Sequence, residues 1–260
     1  MPECIHIKSP KEIELMRAAG RVAAGARTIA RQAIHSGCTT KQIDKAVHDY
    51  IVRNGAKPTF LGYGGFPGSA CVSLNEEVIH GIPDSRIVKS GDIVSVDVGA
   101  TLNGYVGDCA GTYACGEISE EARKLIDVTR ESFFEGIKFA KEGYRLSDIG
   151  AAVQQYVEDH GYSVVRDYVG HGVGRNLHEA PEVPNYYDPS ARGRHNPRLV
   201  KGMTIAIEPM VNAGTYEVEV LSNEWTVISK DRSLTAHYEN TIAITDGEPE
   251  ILTYADDLYL

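Results

Sequence analysis

Ile93-Val94-Ser95-Val96-Asp97-Val98-Gly99 and Tyr105-Val106-Gly107-Asp108-Cys109-Ala110 are joined by Thr101-Leu102-Asn103-Gly104. Val94, Val96 and Val98 alternate strictly, which predicts a strand with one apolar face. Asp97 then points to the other face. The second run reads as the returning strand of a hairpin, with Asn103-Gly104 in the turn. A four-residue loop would set Asp97 directly opposite Asp108. A two-residue turn would make them diagonal neighbours. In both cases the carboxylates share a face, about 5 to 8 Å apart. Two like charges so close are destabilising unless a positive group sits between them. An exposed acidic hairpin is the plainer alternative, but the flanking Val, Gly and Ala residues read as buried. The pattern therefore points to a divalent cation held by carboxylate oxygens.

Working outward, the chain repeats an order of two helices followed by strands. Ser9-Pro10-Lys11-Glu12 reads as a capping box opening a helix to about Ile34. Thr39-Thr40-Lys41-Gln42 opens a second, closed by Asn54-Gly55. Strands are expected at Pro58–Leu61, Ala70–Asn75, Ile93–Gly99 and Tyr105–Tyr113. A third helix should run from Ser119 to Lys141 and a fourth from Ser147 to His160-Gly161. Strands return at Val164–Tyr168, Met203–Val211, Tyr216–Leu221, Trp225–Ser229 and Thr235–Thr245. Pro181 to Pro197 reads as a long surface loop. Hairpins imply a largely antiparallel sheet with helices on one side, an α+β arrangement. The expected organisation is a single domain over residues 1–260, with related halves at about 9–115 and 118–253.

Composition narrows the function. The 260 residues include 26 basic and 36 acidic side chains, a net charge of -10. That excludes a general binder of DNA or anionic membranes. Arg192, Arg194 and Arg198 form a local basic stretch, read mainly as solvated and secondarily as a ribosome contact. The five cysteines contain no CxxC pair, which fits a reducing compartment. No signal peptide or membrane span is evident, so a cytoplasmic location is expected.

Further carboxylates and histidines join the aspartate pair. Glu208 closes the apolar run Met203–Ile207, and Glu239 lies in Thr235-Ala236-His237-Tyr238-Glu239. His171 sits in Gly170-His171-Gly172-Val173-Gly174-Arg175, with His178 seven residues on. The glycines do not make a phosphate loop, because Arg175 stands where the last glycine is needed. They instead permit close backbone approach at a cleft. His80 lies in another turn. Four carboxylates and a neutral imidazole carry four negative charges, which two divalent ions would balance. Such a pair supports metal-assisted hydrolysis.

The set Asp97, Asp108, His171, Glu208 and Glu239 resembles the ligand set of type I methionine aminopeptidases. The flanking segments Asn75–Pro83, Gly170–Arg175, Ile207–Val211 and Lys230–Leu234 resemble that family as well, over about Ile7 to Thr253. The resemblance implies the pita-bread (creatinase/aminopeptidase-like) fold: two pseudo-symmetric α/β halves, a mainly antiparallel curved sheet, and helices on its outer face. It implies removal of the initiator methionine from nascent polypeptide N-termini whose second residue is small. Asp108 and Glu239 would bridge two metals drawn from Co, Mn, Fe, Zn or Mg. Asp97 would complete one site, and His171 with Glu208 the other. Glu208 would also serve as general base, and His80 and His178 would bond the scissile peptide. The methionine pocket is expected from Tyr63, Phe66, Cys71 and Trp225, with Phe60 and Leu177 at its rim. Leu177 replaces a phenylalanine common in the family, and Phe60 a frequent cysteine. Asn75, Glu77 and Ser233 match positions whose backbone oxygens hold a monovalent cation. A monomer is expected. The rivals are a proline-specific peptidase of the same fold and a pita-bread binding protein without catalysis.

Overall fold

The computed structural model describes residues 4–189 and 196–255. In the first half, helices α1 (Pro10–Ala33) and α2 (Thr40–Arg53) precede strands β1 (Lys57–Pro58), β2 (Ala70–Leu74), β3 (Glu77–Ile79), β4 (Ile93–Leu102) and β5 (Tyr105–Ala114). Helices α3 (Glu120–Ile137) and α4 (Leu146–Asp159) open the second half. Strands β6 (Ser163–Val164), β7 (Gly170–Gly172), β8 (Glu179–Val183), β9 (Thr204–Ile207) and β10 (Met210–Asn212) follow. The last are β11 (Val218–Val220), β12 (Val227–Ser229), β13 (Thr235–His237), β14 (Glu239–Ala243) and β15 (Glu250–Ile251).

Both expected capping boxes form. The Ser9 and Thr39 side chains accept from the backbone of Glu12 and Gln42, whose side chains reach back to the cap N–H groups. The fourth helix begins one residue before Ser147, because the Asp148 carboxylate accepts from the Arg145 N–H at 2.8 Å. α3 stops at Ile137, short of the expected Lys141.

A nine-stranded sheet runs β1-β4-β5-β14-β9-β7-β8, with β2 on β4 and β15 on β14. Two three-stranded sheets, β13-β10-β6 and β11-β12-β3, complete the β structure. Every paired strand among the described residues is antiparallel.

The core lies between the sheet and the helices. Val94, Val96 and Val98 pack with Val22, Ile43, Val47 and Ile51 of α1 and α2. In the second half Ile205, Ile207 and Ile242 pack with Phe133, Ile149 and Val153 of α3 and α4. Each fully buried aliphatic side chain stabilises by roughly 1.5–3 kcal/mol. Alternation then sends Asp97, Asp108, Glu208 and Glu239 to the face away from the helices.

Five expected segments need correction. The expected strands Pro58–Leu61 and Val164–Tyr168 are instead the two-residue strands Lys57–Pro58 and Ser163–Val164. The Pro181–Pro197 loop starts later, since Pro181 to Val183 belong to β8. Met203–Val211 is not one strand: Pro209 lacks an N–H, and the chain leaves one sheet after Ile207 and enters another at Met210. Thr235–Thr245 breaks likewise at Tyr238, whose N–H donates to the Pro209 carbonyl at 3.1 Å. The paired breaks pass both strands from the small sheet to the large one together. Arg192 and Arg194 lie outside the described residues, and Arg198 donates to the Gly143 carbonyl at 2.7 Å.

Candidate metal centre

The β4–β5 ladder settles the relation of the two aspartates. Leu102 pairs with Tyr105, leaving Asn103 and Gly104 as the two turn residues. Both have positive φ, 52° and 78°, as a type I′ hairpin turn requires. Asp97 therefore pairs with Ala110, and Asp108 with Gly99, so the carboxylates are diagonal neighbours. Across the next ladder Ala110 also pairs with Glu239. Asp97 and Glu239 thus flank one small alanine from opposite halves of the chain, with Asp108 two residues earlier on the same strand. Asn240 pairs with Ile207, and the same register brings Glu208 level with Glu239 where both strands break.

His171 enters from β7. An added Cβ at Gly170 would lie 2.3 Å from the Ala206 carbonyl, and one at Gly172 2.3 Å from that of Ala180. Only glycine allows the backbones so close. The His171 Nδ1 is 2.9 Å from the Gly172 carbonyl, so it carries the proton and leaves the Nε2 lone pair for a metal. That Nε2 lies 3.5 Å from Glu208 Oε1 and 3.7 Å from Asp108 Oδ2. Ligand atoms of Asp108, His171 and Glu239 all fall within 4.8 Å of one another.

The electrostatics fit a cation. Burial pushes the Asp97 carboxyl up to about 7. Burial, then the neighbouring Asp97, holds Asp108 well above the carboxylate range. Glu208 and Glu239 are raised for the same reasons, burial first and Asp108 next. Asp97 Oδ1, Asp108 Oδ1 and Glu239 Oε1 are shielded from solvent without a hydrogen-bond donor. Shielded carboxylate oxygens converging from three strands beside a neutral imidazole suit a divalent ion. Burial, then His178, lowers His171 to about 4, which keeps it neutral for ligation.

The centre lies in a cleft of about 410 Å³. Phe60, Phe66, Cys71 and Leu177 form one buried cluster on its wall, with Trp225 packed against it. The Phe66 and Trp225 rings meet edge to face at 5.1 Å. Phe60 and Leu177 are buried in the wall rather than set at a rim. Cys71 pairs with Asp97 across β2 and β4, and burial raises its thiol, which stays protonated. His80 and His178 both line the cleft. Burial, then His178, lowers His80 to about 4. Tyr63 stands apart: it is 44% exposed, outside the cleft lining, and its hydroxyl lies 2.8 Å from His178 Nδ1.

The Asn75 and Glu77 carbonyls gather around the Thr235 hydroxyl, at 3.1 and 2.9 Å, while the Ser233 carbonyl accepts from the Ser229 hydroxyl at 2.7 Å. The Glu77 carboxylate is engaged elsewhere, by the Leu74 N–H and Arg86.

Two site residues escaped the sequence reading. Tyr168 lines the cleft and sets its ring edge to face with His80 at 5.9 Å. His237 is buried, with Nε2 3.9 Å from Glu208 Oε2. Its position two residues before Glu239 was the available signal.

The sequence model of metallopeptidase family M24 matches residues 14–246. The chain belongs to that family. It is 56% identical over 253 residues to a methionine aminopeptidase of Clostridium acetobutylicum, covering 97% of this chain and 100% of that one. It is 51% identical over 246 residues to methionine aminopeptidase 1 of Bacillus subtilis, covering 95% and 98%. The crystal structure of a methionine aminopeptidase from Thermotoga maritima superposes with a TM-score of 0.93 at 47% identity, covering 97% and 100%. The fold is accordingly the α+β pita-bread fold, and the chain is a metallo-exopeptidase of the hydrolase class. Among the described residues no helix is long and apolar enough to cross a membrane.

Proposed function

We propose that this chain removes the N-terminal methionine from newly made polypeptides whose second residue is small. The observation that carries this reading is the convergence of Asp97, Asp108, His171, Glu208 and Glu239 at the wall of an apolar cleft, in a chain so close to methionine aminopeptidases. Two divalent cations, drawn from Co, Mn, Fe, Zn or Mg, would match the four carboxylate charges. Asp108 and Glu239 would be shared, Asp97 would complete one site, and His171 with Glu208 the other. Bound there, the ions supply Lewis acidity and a water of lowered pKa.

The remaining chemistry belongs to the side chains. Glu208, already the neighbour of two imidazoles, takes the proton from the attacking water and returns it to the leaving amine. His80 stays neutral above about pH 4, so its ring N–H can donate to the scissile carbonyl. His178 bonds the substrate from the cleft mouth, and Tyr63 orients it through Nδ1. Phe60, Phe66, Cys71, Leu177 and Trp225 receive the methionine side chain, excluding water around the thioether. A monovalent cation on the Asn75, Glu77 and Ser233 carbonyls would brace the turn that carries His80. We further read the chain as one catalytic domain of two related halves, monomeric and cytoplasmic, meeting its substrates through transient ribosome contact.

Metal-stripped protein offered Met-Ala-Ser and Ala-Pro-Ser peptides, with Mn(II), Fe(II) or Co(II) restored singly, tests the reading by mass spectrometry. Metal-dependent release of methionine is expected. Cleavage of the proline peptide alone would favour the proline-specific rival, and no cleavage with metal bound would favour a binding protein.

A further inference from the structure

A second cavity, of about 360 Å³, lies on the helix side of the sheet where the two halves meet. Arg31 of α1 enters it from the first half, and Arg123 and Arg130 of α3 from the second. Asp127 is the acidic residue of its lining, in a chain whose net charge is -10. Arg130 is held by Glu131 at 2.7 Å and Asp127 at 3.9 Å, and Arg31 lies over the Tyr113 ring at 6.0 Å. Tyr113, Tyr238 and Ile126 give the cavity aromatic and aliphatic walls. Its floor includes His237, whose Nε2 is 3.9 Å from Glu208 Oε2.

We propose that this cavity is a second ligand site, which binds a small organic phosphate carrying a ring, of the size of a nucleoside monophosphate. Guanidinium groups are planar forks that match phosphate oxygens; Arg31 and Arg123 line the cavity from two helices, and Arg130, already paired with Asp127 and Glu131, lines it as well. The tyrosine and isoleucine walls suit a flat ring, and the volume is that of a small-ligand site. The occupant would sit one side chain behind Glu208, across the sheet from the peptide cleft.

Isothermal titration of the Mn(II)-loaded protein with AMP, adenosine and inorganic phosphate tests the assignment. AMP should saturate at one molecule per chain, and adenosine and phosphate should each bind at least tenfold more weakly. Arg31→Gln and Arg123→Gln should each weaken AMP about tenfold while methionine release stays at the wild-type rate. Arg166→Gln, whose guanidinium lies over Tyr216 instead, should change nothing. Absence of saturable AMP binding would overturn the proposal. So would an affinity unchanged in Arg31→Gln and Arg123→Gln, which would place AMP at the metal centre. Phosphate binding as tightly as AMP would overturn the role of the aromatic walls.

Discussion

The two halves deliver their carboxylates in different ways. In the first, β4 and β5 are unbroken ten-residue strands, and Asp97 and Asp108 sit inside a regular ladder. In the second, Glu208 stands just past the end of β9 and Glu239 at the start of β14, beside Pro209 and Tyr238. The first pair is placed by a turn, the second by a break. A tight turn sets the register of the first pair, whereas the second pair stands where the strands pass between two sheets, with Glu239 still in register with Ala110. Ala110, paired on both sides, is where the two solutions meet.

The largest effect is expected from removing either carboxylate that we propose is shared by two cations. Asp108→Asn or Glu239→Gln should nearly abolish methionine release and reduce bound metal, because each would lose contacts to two cations. Elemental analysis beside peptide turnover checks both effects. His178→Ala touches neither half's carboxylates. It should lower kcat by about 10²- to 10³-fold with metal content intact, and equal metal loss would show His178 to be a ligand.

The turn itself is the next lever. Gly104→Val forces a β-branched residue to a φ of 78°. It should cost about 1–3 kcal/mol, read by urea unfolding, and weaken metal binding through the Asp97–Asp108 diagonal. A smaller effect is expected for Tyr63→Phe, which removes the hydroxyl on His178 Nδ1. A few-fold loss in kcat, with KM nearly unchanged, would mark Tyr63 as a positioning residue.

The smallest effect concerns pH. Asp97 rises from 3.8 to about 7 without a cation, so its favourable contribution is complete below about pH 4 and lost as pH climbs through 7. Metal binding needs the ionised carboxylate and reverses that loss. His171, lowered to about 4, is neutral across the same window. The gain in Tm from Mn(II) should therefore increase by a few degrees between pH 5.5 and 7.5. A gain independent of pH would show that Asp97 is ionised before the metal arrives.

The same contrast explains what was legible in the sequence. Strict alternation at Val94, Val96 and Val98 carried the hairpin, its face and its aspartates. The capping boxes at Ser9 and Thr39 carried the helix starts, because both partners lie within four residues. The strand breaks were not legible in the same way. Pro209 announces a missing N–H, but nothing local marks Tyr238 as its partner; that bond joins residues far apart in sequence. His237 was missed because it reaches Glu208 only across that break. Tyr63 was expected in the pocket wall, yet its hydroxyl bonds His178, a contact visible only once the two loops are folded together.

The most direct test of a single metal centre built from both halves is an anomalous-scattering map from Mn(II)-loaded crystals. Density is expected among Asp97, Asp108 and Glu239, and among Asp108, His171, Glu208 and Glu239. Manganese bound away from these five residues, or held by the carboxylates of only one half, would contradict it.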